Sequence, residues 1–219
     1  MIVLLFGPPG CGKGTQAVFL ADRFRIPAVS TGEMFRAAAQ AGTELGKMAA
    51  TIMSAGQLVP DELTNGIVAE RIAQPDCAGG FVLDGYPRTL PQAQYFAGLL
   101  RQRGLPEPLV IHLDVAEAAL VARLTARRQC PVCKTIYNAI SQPPRVEGRC
   151  DADGAALIVR ADDQEATIRE RLRAYQQLTG PILEWYGPAA VHTIDGAKPP
   201  EAVREAVTRV VEAARLARP

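Results

Sequence analysis

The stretch that most constrains this chain runs from Leu4 to Thr15, LLFGPPGCGKGT. A short apolar run, Ile2 to Phe6, stops at Gly7, and a loop holding Gly7, Gly10, Gly12 and Gly14, broken by Pro8 and Pro9, then carries Lys13. A helical pattern follows, GTQAVFLADRF, with Val18, Phe19 and Phe24 among its apolar positions. Strand, glycine loop with lysine, and helix together build a phosphate cradle. The glycines let consecutive backbone N–H groups turn toward one anion, the helix N-terminus adds partial positive charge, and the lysine reaches the β/γ-phosphates. A glycine-rich turn without a ligand is the bland alternative, and the number of correctly spaced features favours a nucleoside-triphosphate site. Its expected contacts are Gly10, Cys11, Gly12, Lys13, Gly14 and Thr15. The common form of such a loop places Ser or Thr directly after the lysine, where its hydroxyl binds Mg²⁺. Here that place is Gly14, and Thr15 comes one residue later.

Apolar runs of strand length recur at Phe81–Leu83, Leu109–Val115 and Val191–Ile194, with a shorter one at Ala28–Val29, and helical patterns separate them. Short, nearly continuous apolar strands alternating with helices indicate an α/β fold with a doubly wound parallel sheet. Two segments fit the alternation poorly, 30–59 and roughly 122–161, and read as insertions on a core made of 1–29, 60–121 and 162–219. Helices are expected over Thr43–Ala55, Asp61–Gln74 and Ala116–Arg128, and over Pro200–Leu216 as packing only. A further long helix is expected to begin near Asp162 and Glu165, present Ile168, Leu172, Tyr175, Leu178 and Ile182 on its apolar face, and kink at Gly180-Pro181. Ser30 and Glu33 have the spacing of a capping box.

With 24 Lys+Arg against 23 Asp+Glu, the net charge of +1 argues against nucleic acid or an anionic membrane as a bulk partner. No apolar run approaches the ~20 residues of a membrane span, and no signal peptide is visible at the N-terminus. Three of the five cysteines share one segment, which fits a metal site in a reducing cytoplasm better than a disulfide framework.

That segment reads Cys130-x₂-Cys133, sixteen residues, then Cys150-x₂-Asp153, the spacing of a zinc ribbon with a carboxylate in the fourth place. A redox Cys-x-x-Cys is the main rival, and a metal-free segment held by hydrogen bonds is a third reading. Earlier in the chain, Asp84 ends an apolar strand in FVLDGYPRT, as a second phosphate or Mg²⁺ element requires. Arg88 follows in the same turn, and a planar guanidinium can grip two phosphate oxygens at once. Arg123 and Arg127, four apart, are expected on one face of the helix they share.

The loop form G-x-P-G-x-G-K-G-T resembles that of nucleoside-monophosphate kinases, adenylate kinases above all. T-G-x-M-x-R at Thr31–Arg36, D-G-Y-P-R at Asp84–Arg88 and R-x-D-D-x₇-R-L from Arg160 to Arg171 extend the likeness over essentially the whole chain. The resemblance implies a P-loop core with two mobile insertions, a monophosphate-binding one and a zinc-containing lid. It implies reversible, Mg²⁺-dependent phosphoryl transfer from ATP to AMP giving two ADP, by a monomer, with UMP or CMP as alternative acceptors and a non-catalytic nucleotide sensor as the rival class. By the same resemblance Lys13, Asp84, Arg88, Arg123, Arg160 and Arg171 serve the transfer, and Arg123, Arg127 and Lys198 join the loop around ATP. AMP is expected against Thr31, Arg36, Leu58, Val59, Gly85, Arg88, Gln92, Arg160 and Arg171, with Gln92 reading adenine. A structural Zn²⁺ is expected on Cys130, Cys133, Cys150 and Asp153.

Overall fold

The computed structural model describes residues 1–217, so positions 218 and 219 of the expected 162–219 segment lie outside the described residues. Strand β1 (Ile2–Phe6) is buried along its whole length, which an unbroken apolar run without alternation demands. It lies at the centre of a five-stranded sheet with β2 (Ala28–Ser30), β3 (Phe81–Asp84), β4 (Leu109–Asp114) and β7 (Val191–Asp195) in the order β2-β3-β1-β4-β7. Every pairing is parallel, with Leu4 opposite Leu83 on one side and opposite Val110 on the other. Successive side chains of β1 serve opposite faces. Val3 and Leu5 pack with α1 (Lys13–Phe24), α6 (Glu117–Thr125) and α9 (Pro200–Leu216). Ile2, Leu4 and Phe6 pack with α4 (Asp61–Ile72) and α5 (Leu90–Gln102). This is the doubly wound arrangement, and its ligand crevice lies at the carboxyl edge between neighbouring β1 and β4, whose connections leave to opposite sides, to β2 and toward β7.

The two insertions carry cores of their own. Between β2 and α4, helices α2 (Thr31–Gln40) and α3 (Glu44–Ser54) close around Phe35, Ala49 and Val59. Thr43 caps α3, its hydroxyl accepting the Gly46 N–H at 3.0 Å. Beyond α6, β5 (Arg127–Gln129) and β6 (Ile136–Asn138) form an antiparallel pair beside a small cluster of Cys130, Tyr137 and Cys150. Among the described residues no helix is long and apolar enough to cross a membrane.

Several local expectations are corrected. Helix α6 stops at Thr125, so Arg127 belongs to strand β5 and does not share a helix face with Arg123. Ser30 precedes α2 without a side-chain cap bond, and Glu33 is drawn away by arginines. The long helix is three pieces: α7 (Glu165–Ala174), a π-helical turn at Tyr175–Thr179 and α8 (Gly180–Tyr186). Asp162 lies in a 3₁₀ turn (Ala161–Asp163) and does not cap α7, and Leu178 is exposed. Val18 faces outward as well. The backbone stays helical throughout, with the Gly180 N–H reaching back to the Tyr175 carbonyl, so the irregularity expected at Gly180-Pro181 takes the form of the π turn just before it.

Candidate active site

The glycine loop joins β1 to α1 at the carboxyl edge of the sheet. Gly7, Gly10 and Gly12 all take positive φ, and at Gly7 a Cβ would stand 2.5 Å from the Leu113 carbonyl oxygen. Lys13 folds back over the loop, its Nζ donating to the carbonyls of Gly7 at 2.6 Å and Pro8 at 3.0 Å. Cys11 is buried below it. Burial raises its thiol pKa against the opposing pull of Lys13, which keeps the sulfur a neutral packing group. A Cβ on Gly14 would stand 3.5 Å from Asp84 Oδ2, so the carboxylate that ends β3 reaches the spot just past the lysine. Thr15 lies in the first turn of α1, whose N–H groups point to the crevice.

The turn after β3 is built around one carbonyl. Gly85 C=O accepts from Thr31 Oγ1 and from Arg88 Nε, each at 2.8 Å. Gly85 has φ +79°, and a Cβ there would meet Arg88 Nη2 at 2.8 Å. Thr179 of the π turn donates its hydroxyl to the Arg88 carbonyl at 2.9 Å. Gln92 is 1% exposed; its amide oxygen accepts the Arg88 N–H and its amide nitrogen donates to Asp61, both at 2.7 Å. Its observed partners therefore hold the turn that carries Arg88.

Around that turn five guanidinium groups gather. Arg36 reaches Glu33 at 2.6 Å, and Arg160 reaches the same carboxylate at 2.8 Å. Arg127 forms a two-bond fork on Asp163, and Arg171 bridges Asp163 at 3.0 Å and Asp162 at 3.1 Å. Burial, then the charge of Arg171, lowers the pKa of Arg88, with Arg36 adding to the effect. Burial, Arg127 and Arg36 push Arg160 down to about 10, which leaves it charged at neutral pH. Glu33 is raised by burial but held below the ordinary carboxylate value by the bond from Arg36 and the charges of Arg36 and Arg160. The five guanidinium groups outnumber the carboxylates of Glu33, Asp162 and Asp163 that they pair with, which leaves this side of the crevice positive. Arg123 stands apart, its guanidinium donating to the carbonyls of Gly196 at 2.8 Å and Ala197 at 3.1 Å, beside exposed Lys198. Leu58 is half-buried, whereas Val59 packs inside the 30–59 insertion.

The ligand atoms of Cys130, Cys133, Cys150 and Asp153 all lie within 4.8 Å of one another. Tetrahedral zinc with ~2.3 Å bonds to sulfur needs ligand atoms about 3.8 Å apart, and Cys133 Sγ stands 3.4 Å from Cys150 Sγ. Backbone N–H groups of Val132 and Cys133 already point at Cys130 Sγ, each at 3.4 Å, as acceptance by a thiolate requires. Three thiolates and a carboxylate held this way fit a closed structural zinc site.

Sequence reasoning missed Glu33, Gln129 and Asp163 as partners of the arginines. Asp163 was within sight, as one of the acidic pair between Arg160 and Arg171; the structure shows its side chain fully buried. The model of the adenylate kinase family matches residues 5–191. The chain is 52% identical over 186 residues to an adenylate kinase of Oceanobacillus iheyensis, covering 85% of this chain and 86% of the relative. It is 52% identical over 186 residues to one of Trichlorobacter lovleyi, covering 85% and 87%. An adenylate kinase of Anaeromyxobacter sp. is 44% identical over 212 residues, 96% of this chain and 99% of the relative. A likeness that runs through both insertions as well as the sheet leaves one family, and the chain belongs to the adenylate kinases.

Proposed function

We propose that this chain moves the γ-phosphoryl group of ATP to AMP, reversibly, giving two ADP. The convergence of Arg36, Arg88, Arg127, Arg160 and Arg171 between the phosphate loop and the 30–59 insertion carries the reading. A phosphate monoester has a second pKa near ~6 and is already a nucleophile at neutral pH, so no general base is required. What remains is in-line positioning of two polyanions and neutralisation of their charge. Acids on the protein hold the guanidinium groups in place before substrate arrives. Lys13 and the loop N–H groups take the donor phosphates, with Arg123, Arg127 and Lys198 beside them. Thr31, Arg36 and Arg88 take the acceptor phosphate, with Arg160 and Arg171 between the two. Leu58 and Val59 border the base, and one N–H and one lone pair of the Gln92 amide remain for the adenine edge. The segments 30–59 and 122–161 act as the two covers of the site, which excludes water from the transfer.

Mg²⁺ accompanies ATP, and Asp84, a hard oxygen ligand beside the loop, would hold it, directly or through water. The ion supplies charge neutralisation between the phosphates. Zn²⁺ on the cysteine knuckles supplies cross-linking of the 122–161 segment only, since a closed four-ligand site has no open position. The reading includes a monomer working in a reducing cytoplasm. Incubation with ATP and AMP tests it: ADP should form with Mg²⁺ and stop when EDTA removes the ion. No ADP under either condition would favour a nucleotide sensor.

Two variants follow from the geometry. Arg88→Lys keeps the charge and loses the fork and the Nε bond to Gly85, so turnover should fall at least about tenfold, ~1.4 kcal/mol in the barrier. Wild-type kinetics in that variant would make Arg88 a bystander. For the knuckles, elemental analysis of protein purified without chelator should find about one Zn²⁺ per chain. Asp153→Cys should keep the metal, and Asp153→Ala should bind it more weakly and melt at a lower temperature. Equal zinc retention in Asp153→Ala would remove the carboxylate from the ligand set.

A further inference from the structure

We propose that Gln129 is a positioning residue for the transfer: it sets the guanidinium of Arg160 and ties the 122–161 segment to the 30–59 insertion through Glu33. The inference rests on the activity proposed above. Gln129 ends β5 and is only 4% exposed, an unusual place for an amide. Its backbone is clamped by two 2.9 Å hydrogen bonds exchanged with Ile158, so the side chain starts from a fixed point. The amide oxygen accepts Arg160 Nε–H at 2.6 Å, while the amide nitrogen donates to the Lys134 carbonyl at 3.3 Å and to Glu33 Oε1 at 3.4 Å. Guanidinium only donates, and carbonyl and carboxylate only accept, so the amide has one workable orientation. Occupying Nε–H turns the Nη edge of Arg160 away from Gln129. One Nη2 bond goes to Glu33 at 2.8 Å, and the rest of that edge is left for phosphate oxygens. Glu33 Oε1 thus collects donors from Arg36, Arg160 and Gln129, joining both insertions at a single oxygen. An apolar side chain at position 129 would leave a buried Nε–H unpaired and the guanidinium free to pivot.

The test measures kcat and KM for ATP and AMP, with zinc content and melting temperature, in wild type, Gln129→Met, Gln129→Glu and the exchange Gln129→Glu/Glu33→Gln. Gln129→Met should keep its zinc and lose roughly tenfold in kcat/KM. Gln129→Glu keeps an acceptor for Arg160 but faces Glu33 with a like charge, and should lose a similar factor. The exchange puts the carboxylate under Arg160 and the amide opposite it, and should recover part of the lost activity, the remaining deficit reflecting a carboxylate oxygen that faces the Lys134 carbonyl. A purely structural role would lower melting temperature or zinc content in step with activity, whereas positioning lowers kcat/KM with both unchanged. Wild-type kcat/KM in Gln129→Met, or an exchange variant no better than Gln129→Glu, would overturn the inference. A wild-type chain that makes no ADP would instead overturn the activity reading on which it rests.

Discussion

Asp163→Ala is expected to be the most destabilising single change at the site. The Asp163 side chain has no exposure to solvent, and it neutralises Arg127 and Arg171, which are 15% and 16% exposed. Removing it strands Arg127 and leaves Arg171 with Asp162 as its remaining ion-pair partner, and breaking a buried pair in this one-sided way costs about 3–5 kcal/mol. For a chain of this size that is a fall of roughly 10 °C in melting temperature. Glu44→Ala is the internal control. It also breaks an ion pair, but Glu44 and Lys47 are 91% and 62% exposed, and the melting temperature should stay within about 1 °C. Thermal unfolding of the two variants side by side checks the contrast. Equal melting temperatures would mean that Arg127 and Arg171 find other partners.

Asp84→Asn should have the largest effect on rate at no cost in fold. The side chain keeps its shape and its distant bond from Ser30 Oγ at 3.5 Å, so packing at the end of β3 is preserved. What disappears is the one carboxylate that reaches the position next to Lys13 in the loop. Loss of the carboxylate that would hold Mg²⁺ against the phosphates should cost on the order of 100-fold in turnover. Steady-state kinetics at saturating Mg²⁺ should show that loss with an unchanged melting temperature. A turnover within a factor of two of wild type would place the metal elsewhere.

The parts that could be read from the chain are those whose partners lie close in sequence. The phosphate loop, the Asp84–Arg88 turn and the cysteine knuckles are local constellations, and the structure assembles the knuckle ligands as their spacing required. The parts that could not be read depend on distant partners. Glu33 has the spacing of a cap, yet Arg160, 127 residues away, wins its carboxylate. Arg127-Arg128-Gln129 continues a helical pattern without interruption, and only pairing with β6 makes it a strand. Gln129 is an unremarkable polar residue until Arg160 and Glu33 are seen on its two ends. The π turn at Tyr175–Thr179 runs directly into Gly180-Pro181, which marks an irregularity in the sequence, but its use is tertiary and not legible there: it aims Thr179 at the Arg88 carbonyl.

The most direct test of the account follows one phosphoryl group. ATP labelled at the γ-phosphate is mixed with AMP, Mg²⁺ and the protein, and the products are separated by phosphorus NMR or chromatography. Transfer between two held nucleotides predicts that the label appears as the β-phosphate of ADP made from AMP, one for each ATP consumed, with almost none in free phosphate. AMP should outcompete UMP and CMP in the same tube. Label released as inorganic phosphate, or passed faster to UMP or CMP than to AMP, would contradict it.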